Sequence, residues 1–260
     1  MTRPTDDDAR FAREQLAGGC DRMAELLRGL LDTKGRIAEE VHATRKLGKS
    51  LRGGFALFRL GGNSSLEIQA IGRLLSEPRD AVSRLNTWKK VDWQGPASAA
   101  IQGLLEQQTH SAARRPPAET IDWCLARVAA ARKELAELPE ANLAERVAVG
   151  LKKLGKQLAK RSRRLDHRGE EDFHDARKAL KAYLGAHGFL ADAAVALDPK
   201  MAELADLLGD ENDLGTLSTW LEGHGFTEPL VPGLWQKITE KRSNLRKQAI
   251  RDAAQVVSAG

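Results

Sequence analysis

Two stretches of this chain are spelled almost alike. Glu40 to Arg52 contains His42-Ala43-Thr44-Arg45-Lys46-Leu47-Gly48-Lys49, and Asp172 to Leu184 contains His174-Asp175-Ala176-Arg177-Lys178-Ala179-Leu180-Lys181. Both read H-x-x-R-K-x-x-K, at an offset of 132 residues in a chain of 260. A second pair keeps nearly the same offset. Leu74-Leu75-Ser76-Glu77-Pro78-Arg79-Asp80 precedes Trp88, and Leu207-Leu208-Gly209-Asp210-Glu211-Asn212-Asp213 precedes Trp220. Two matches in the same order and register point to an internal duplication, which limits the fold to one that can be built twice.

The repeated unit reads as helix. Ala, Leu, Glu, Arg and Lys abound, and these are strong helix formers. No sustained alternation of apolar and polar residues argues for strands. Periodic segments are expected at about 8–31, 36–60, 64–91 and 97–138, the last broken at Pro116-Pro117, and then at 143–166, 170–191, 199–222 and 231–257. Met1 to Asp7 reads as a frayed acidic leader. Breaks are expected at Asp32 to Gly35, Gly61 to Asn63, Gly95-Pro96, Asp198-Pro199 and Glu228 to Gly233. Pro139 to Asn142 separates the sides. The expected fold is all-α: two pseudo-symmetric antiparallel four-helix bundles, about 8–138 and 140–257.

At 100° per residue, Arg45, Lys46, Lys49 and Arg52 fall within an arc of about 120° around His42. Leu47, Leu51, Phe55 and Phe58 lie opposite, so the helix has one core face and one basic face. The second copy sets His174, Arg177, Lys178 and Lys181 against Ala176, Leu180 and Tyr183. Ordinary solvated helix faces mix signs, because like charges three or four apart repel. Here Arg45, Lys49 and Arg52 are like-charged neighbours, and Arg177 and Lys181 repeat the clash. A bound anion would relieve it. Lys152, Lys156 and Arg163 form a further stripe on the preceding helix, beside Lys153, Lys160 and Arg164. Lys237, Lys241 and Arg251 share a face near the C-terminus, with charge spread around that helix.

The whole-chain charge is modest: 41 Lys and Arg against 36 Asp and Glu, a formal +5. Its placement therefore carries the argument. Cys20 and Cys124 lack metal-ligand spacing and fit a reducing, cytoplasmic setting. No apolar run approaches the roughly 20 residues of a membrane span. Met1 to Arg10 is too acidic for a secretory signal. Trp88, Trp123, Trp220 and Trp235 read as core, with Trp93 in a loop. His110, His167, His187 and His224 have no repeat partner and read as incidental.

On these motifs the sequence resembles the CHAD family, the conserved histidine α-helical domain. His42, Arg45, Lys49 and Arg52 match its H-x-x-R pattern with later basic residues in the first half. His174, Arg177 and Lys181 match in the second, where Leu184 stands in place of a basic residue. The Arg79-Asp80 and Asn212-Asp213 stretches resemble the family's other recurring element. The resemblance spans roughly residues 10–257. It implies a single CHAD domain over 1–260, binding inorganic polyphosphate through His42, Arg45, Lys46, Lys49, Arg52, Lys152, Lys156, Arg163, His174, Arg177, Lys178 and Lys181. It implies no catalysis and no cofactor, and a cytoplasmic place with polyphosphate granules. Mg²⁺ or Ca²⁺ would come only with the phosphates.

Alternatives are a nucleic-acid-binding helical protein and a divalent-metal-binding domain. Base readout calls for groove-entering or stacking side chains near the cations, and the tryptophans lie elsewhere in the pattern. Glu39 and Glu40, and likewise Glu170, Glu171 and Asp172, precede the motif histidines. These acids read as first-turn charge that favours the helix dipole. Gly48-Lys49-Ser50 mimics the end of a P-loop, but Ala43 stands where its first glycine belongs. Neither His-Glu-x-x-His nor Gly-x-Ser-x-Gly occurs, and the E-x-E-x-K signature of triphosphate-tunnel enzymes is absent.

Overall fold

The structure, a computed structural model, describes residues 4–32, 37–60, 62–112, 114–167, 169–191 and 198–258, without the side chains at 167 and 256–258. The expected turn at 33–35, the glycine at 61, the leader residues 1–3 and the side chain at 167 lie outside the described residues. Among the described residues all regular structure is helical. In order these are α1 (Asp6–Gly29), α2 (Ile37–Leu57), α3 (Asn63–Leu74), α4 (Ser76–Val91), α5 (Ser98–Ala112), α6 (Ala118–Ala136), α7 (Leu143–Arg163), α8 (Glu170–His187), α9 (Lys200–Gly223) and α10 (Pro232–Ser258). Single 3-10 turns at Glu140–Asn142 and Arg164–His167 flank α7. Among the described residues no helix is long and apolar enough to cross a membrane.

Local chemistry accounts for the helix ends. The supposed leader is already an N-cap: the Thr5 hydroxyl accepts from the Asp8 amide at 3.2 Å, and Asp8 accepts from the Thr5 amide at 2.9 Å. That reciprocal box satisfies two orphan donors and starts α1 at Asp6. The expected single helix over 64–91 is two helices, parted at Leu75. Pro78 explains the break, since its ring clashes with the carbonyl four residues back, at Leu74. Pro116-Pro117 separates α5 from α6 as expected. At the end of α2, Arg59 takes φ 62°, and the Leu60 amide reaches back to the Phe55 carbonyl at 2.8 Å. This left-handed closure stops the helix without a glycine.

The chain divides into two compact units. The first comprises Met1–Ser76, Arg114–Lys160 and Lys178–Asp198. There α1 packs on α2 and α6, and α3 packs on α2 and α6, closing a ring of four helices. Leu16, Met23, Leu27, Leu51, Phe55, Phe58, Ile68 and Ile71 are almost wholly buried in it, each contributing about 1.5–3 kcal/mol of burial. Both thiols lie here as free, buried cysteines. Burial pushes Cys20 up to about 12 and Cys124 to about 11, so neither is a reactive thiolate. Backbones approach closely where side chains are absent. A Cβ on Gly53 of α2 would lie 2.5 Å from the Ala182 carbonyl oxygen of α8. A Cβ on Gly150 of α7 would overlap the Leu57 carbonyl.

The second unit comprises Glu77–Ala113, Arg161–Arg177 and Pro199–Gly260. Its core gathers Trp88 and Val91 of α4, Ile101 and Leu105 of α5, Leu214, Leu217, Trp220 and Leu221 of α9, and Leu234 and Ile238 of α10. Trp88 and Trp220, the paired tryptophans of the repeat, thus share one core. Neither unit coincides with a sequence half. Trp220 donates to Gln108 at 2.8 Å, and His224 stacks on its ring at 4.1 Å. His224 also bonds the Trp220 carbonyl at 2.8 Å, so it helps close α9. Trp123, expected in the core, is 36% exposed, with the Arg127 guanidinium 4.1 Å above its ring.

Candidate functional site

The first motif lies on α2, whose Leu51 and Phe55 anchor it in the core of the first unit. Its cationic stripe splits into two edges. Arg45, Lys49 and Arg52 line a groove of about 200 Å³ between α2 and α3, while His42 and Lys46 stand exposed outside that lining. The division follows the helix: Lys46 lies about 100° round from Arg45, on the edge turned away from α3. Thr44, Gly48, Gln69, Gly72 and Ser76 complete the polar lining, and Met23, Ile68 and Ile71 form an apolar floor.

Arg45 has a structural task as well. Its guanidinium donates to the Gly72 carbonyl, one of the last carbonyls of α3 that lack a helical partner. The bond fastens α3 to α2 and closes one end of the groove. Arg52 differs. Desolvation first and the Arg73 charge second lower its proton affinity, although more than a third of its surface is open to solvent. Among the described residues no carboxylate pairs with Arg52 or Arg73. Two guanidiniums facing one groove without a counter-charge make a local positive potential that an anion would relieve.

The second motif lies on α8. His174 and Arg177 fall in the second unit, and Lys178 and Lys181 in the first. His174 donates from Nδ1 to the Asn212 side-chain oxygen at 3.2 Å. Arg177 is half-buried. Desolvation lowers its proton affinity most, Asp213 and Glu211 raise it, and Arg79 lowers it further. Asp213 accepts from Ser83 at 3.0 Å, and Arg79 lies 3.6 Å from Asp80. His174 and Arg177 therefore meet Arg79-Asp80 and Asn212-Asp213, the ends of both copies of the second recurring element, in one unit. Around them acid answers base: Arg161 pairs with Asp175 at 2.9 Å, and Arg164 reaches Asp172 at 3.8 Å.

The Lys152, Lys156 and Arg163 stripe is exposed on α7 and contributes nothing to the groove lining. The C-terminal stripe has a local explanation. Lys237 donates to the Asp92 carbonyl, and Lys241 to the Lys90 carbonyl at 2.8 Å, so both close the C-terminal end of α4. Among the described residues no three His, Cys, Asp or Glu side chains gather as a metal site would require.

A family model for the CHAD domain matches residues 14–222. The chain belongs to the CHAD domain family. Its fold is similar to the crystal structure of the CHAD domain from the plant Ricinus communis. There the TM-score is 0.65 at 20% identity, covering 96% of this chain and 90% of that one. PptA from Streptomyces chartreusis is similar at TM-score 0.52 and 14% identity, covering 95% and 99%. At these identities the likeness concerns the fold. No curated protein matches the chain.

This CHAD domain holds one groove residue that the motif search missed. Arg73 sits on α3, outside both repeats. Its signal was faint: Gln69 and Arg73, four apart, share one edge of α3, and Ser76 follows three residues on at the start of α4.

Proposed function

We propose that this protein binds inorganic polyphosphate without chemical turnover, in the groove between α2 and α3. The observation that carries this is the pair Arg52 and Arg73 lining one groove, unanswered by any described carboxylate, with burial first and the Arg73 charge second lowering the proton affinity of Arg52. Family membership supports the ligand class. A guanidinium can take two phosphate oxygens at once, and the Lys49 ammonium adds a point charge. Binding would release counterions from the polymer, so affinity falls with salt. No tryptophan lines the groove, which leaves nucleobases without a stacking partner there. The reading extends to a cytoplasmic protein associated with polyphosphate granules, in which a duplicated sequence supplies two motif helices.

Calorimetric titration with polyphosphate of defined length tests it. Arg52→Gln with Arg73→Gln should weaken binding by about 10- to 100-fold, and should flatten the salt slope by about 0.7 per charge removed. Lys46→Gln, on the outer edge, should change affinity far less. Affinity independent of salt, or a double variant that binds like the wild type, refutes the proposal. Displacement of polyphosphate by single-stranded DNA at equal phosphate concentration would turn it toward nucleic acid.

A further inference from the structure

The α10 helix begins at Pro232, beyond the segment matched by the family model. Its one face carries Thr239, Arg242, Ser243, Arg246, Lys247 and Ile250 around a concavity of about 260 Å³. Both arginines are held by Glu211 of α9, which is 3% exposed. One oxygen, Oε1, lies 2.8 Å from Arg242 Nη2, 2.8 Å from Arg246 Nε and 2.6 Å from Arg246 Nη2. The Arg246 guanidinium also sits 4.9 Å above the Phe173 ring. Two guanidiniums one turn apart repel each other, and a single buried carboxylate balances only one of them. The second charge is met by Glu170, whose Oε1 is 2.5 Å from Arg242 Nη2. Glu170 is no part of the core: its side chain is 70% exposed. Its exposure leaves it open to competition from a solvent anion, while Glu211 holds both arginines and Phe173 lies under Arg246.

We propose that this face of α10 is a binding site for a compact phosphate oxyanion, which displaces Glu170 from Arg242. Glu211 occupies the Nε and Nη2 edges of both arginines. Departure of Glu170 frees the Arg242 Nη2 hydrogen that it holds, and the anion takes that donor together with the Ser243 hydroxyl and the exposed Lys247 ammonium, which line the same concavity. The two arginines are already held by Glu211, and donors held in place lose little freedom on binding. The site lies wholly in the second unit and does not depend on the groove reading.

The test uses the full chain carrying Arg52→Gln and Arg73→Gln, so that the groove is silenced, with pyrophosphate as the titrant. One equivalent should still bind. Glu170→Gln should tighten it by about five- to ten-fold, and Lys247→Gln should weaken it by a similar factor. Circular dichroism would confirm that these exposed substitutions leave the fold intact. Orthophosphate and a long polyphosphate serve as further arms. Competition by orthophosphate assigns the site to free anions, and tighter binding of the polymer assigns it to chain ends; either supports the site. Loss of all pyrophosphate binding in the groove-silenced chain overturns the proposal. So does indifference of the affinity to both Glu170→Gln and Lys247→Gln.

Discussion

His187, at the end of α8, offers a sharp test of the packing around the motif helices. It is 6% exposed, its Nε2 has no hydrogen-bond partner, and its ring lies 4.3 Å from that of Tyr183. Burial lowers its proton affinity from the ordinary 6.5 to about 4. The unfolded chain therefore takes up a proton here before the folded one does. Stability from this group is complete above the unfolded value and is lost as pH falls from about 6.5 toward 4. A shift of about 2.5 units at 1.36 kcal/mol each amounts to about 3 kcal/mol. That is a large share of the roughly 5–15 kcal/mol typical of folded domains. Urea unfolding of wild type and His187→Leu at about pH 7 and about pH 4 isolates the effect, because carboxylate titrations are common to both proteins. The wild type should lose about 3 kcal/mol more than the variant between the two conditions. An equal loss in both would refute the reasoning, since it would mean that the folded state admits a charged imidazole.

Gly53→Ala should destabilise by about 1–3 kcal/mol in urea, although alanine is the better helix former by about 1 kcal/mol. Its Cβ meets backbone atoms of Ala182, Gly185 and Ala186 within 2.8 Å, and backbone cannot rotate aside. Gly48→Ala, five residues earlier, should have the opposite sign, stabilising by about 0.5–1 kcal/mol in the same assay. There the added carbon meets Ile68 and Met23 at 3.5 Å, ordinary contact distance. Glu211→Gln should lower stability by about 3 kcal/mol, because it leaves two half-buried guanidiniums with only the exposed Glu170 carboxylate, on Arg242, to answer them. Added sulfate should recover part of that loss.

The class of fold and the faces of α2 and α8 were legible because helix propensity and period are local properties. Leu51, Phe55, Ala176, Leu180 and Tyr183 are buried as the 100° rotation requires. Pro78 stands inside the expected 64–91 helix, where its clash with the Leu74 carbonyl outweighs a helical period that continues on both sides. What periodicity could not supply was partnership. Which edge of the basic arc meets α3 depends on how α2 rolls in the ring, and only packing decides that. Arg73 entered the groove by the same route. Lys237 and Lys241 read as a stripe until their acceptors at the end of α4 came into view, since a long side chain's partner can lie 145 or 151 residues away.

The two copies of the motif have diverged in what surrounds them more than in their own letters. Leu184 leaves the second copy one cation short of the first. The structure adds a stronger difference. Arg177 feels Asp213 and Glu211, and its helix neighbours Asp172 and Asp175 engage Arg164 and Arg161. A polyanion arriving there would have to displace carboxylates already in place, so part of its Coulomb gain would be cancelled. In the first copy, Arg52 feels Arg73 instead of an acid. That like-charge repulsion is what an anion in the proposed groove would relieve, and the relief would add to its affinity. The same letters on two helices thus meet different surroundings: Arg52 faces another cation across a groove, while Arg177 is set among Asp213 and Glu211.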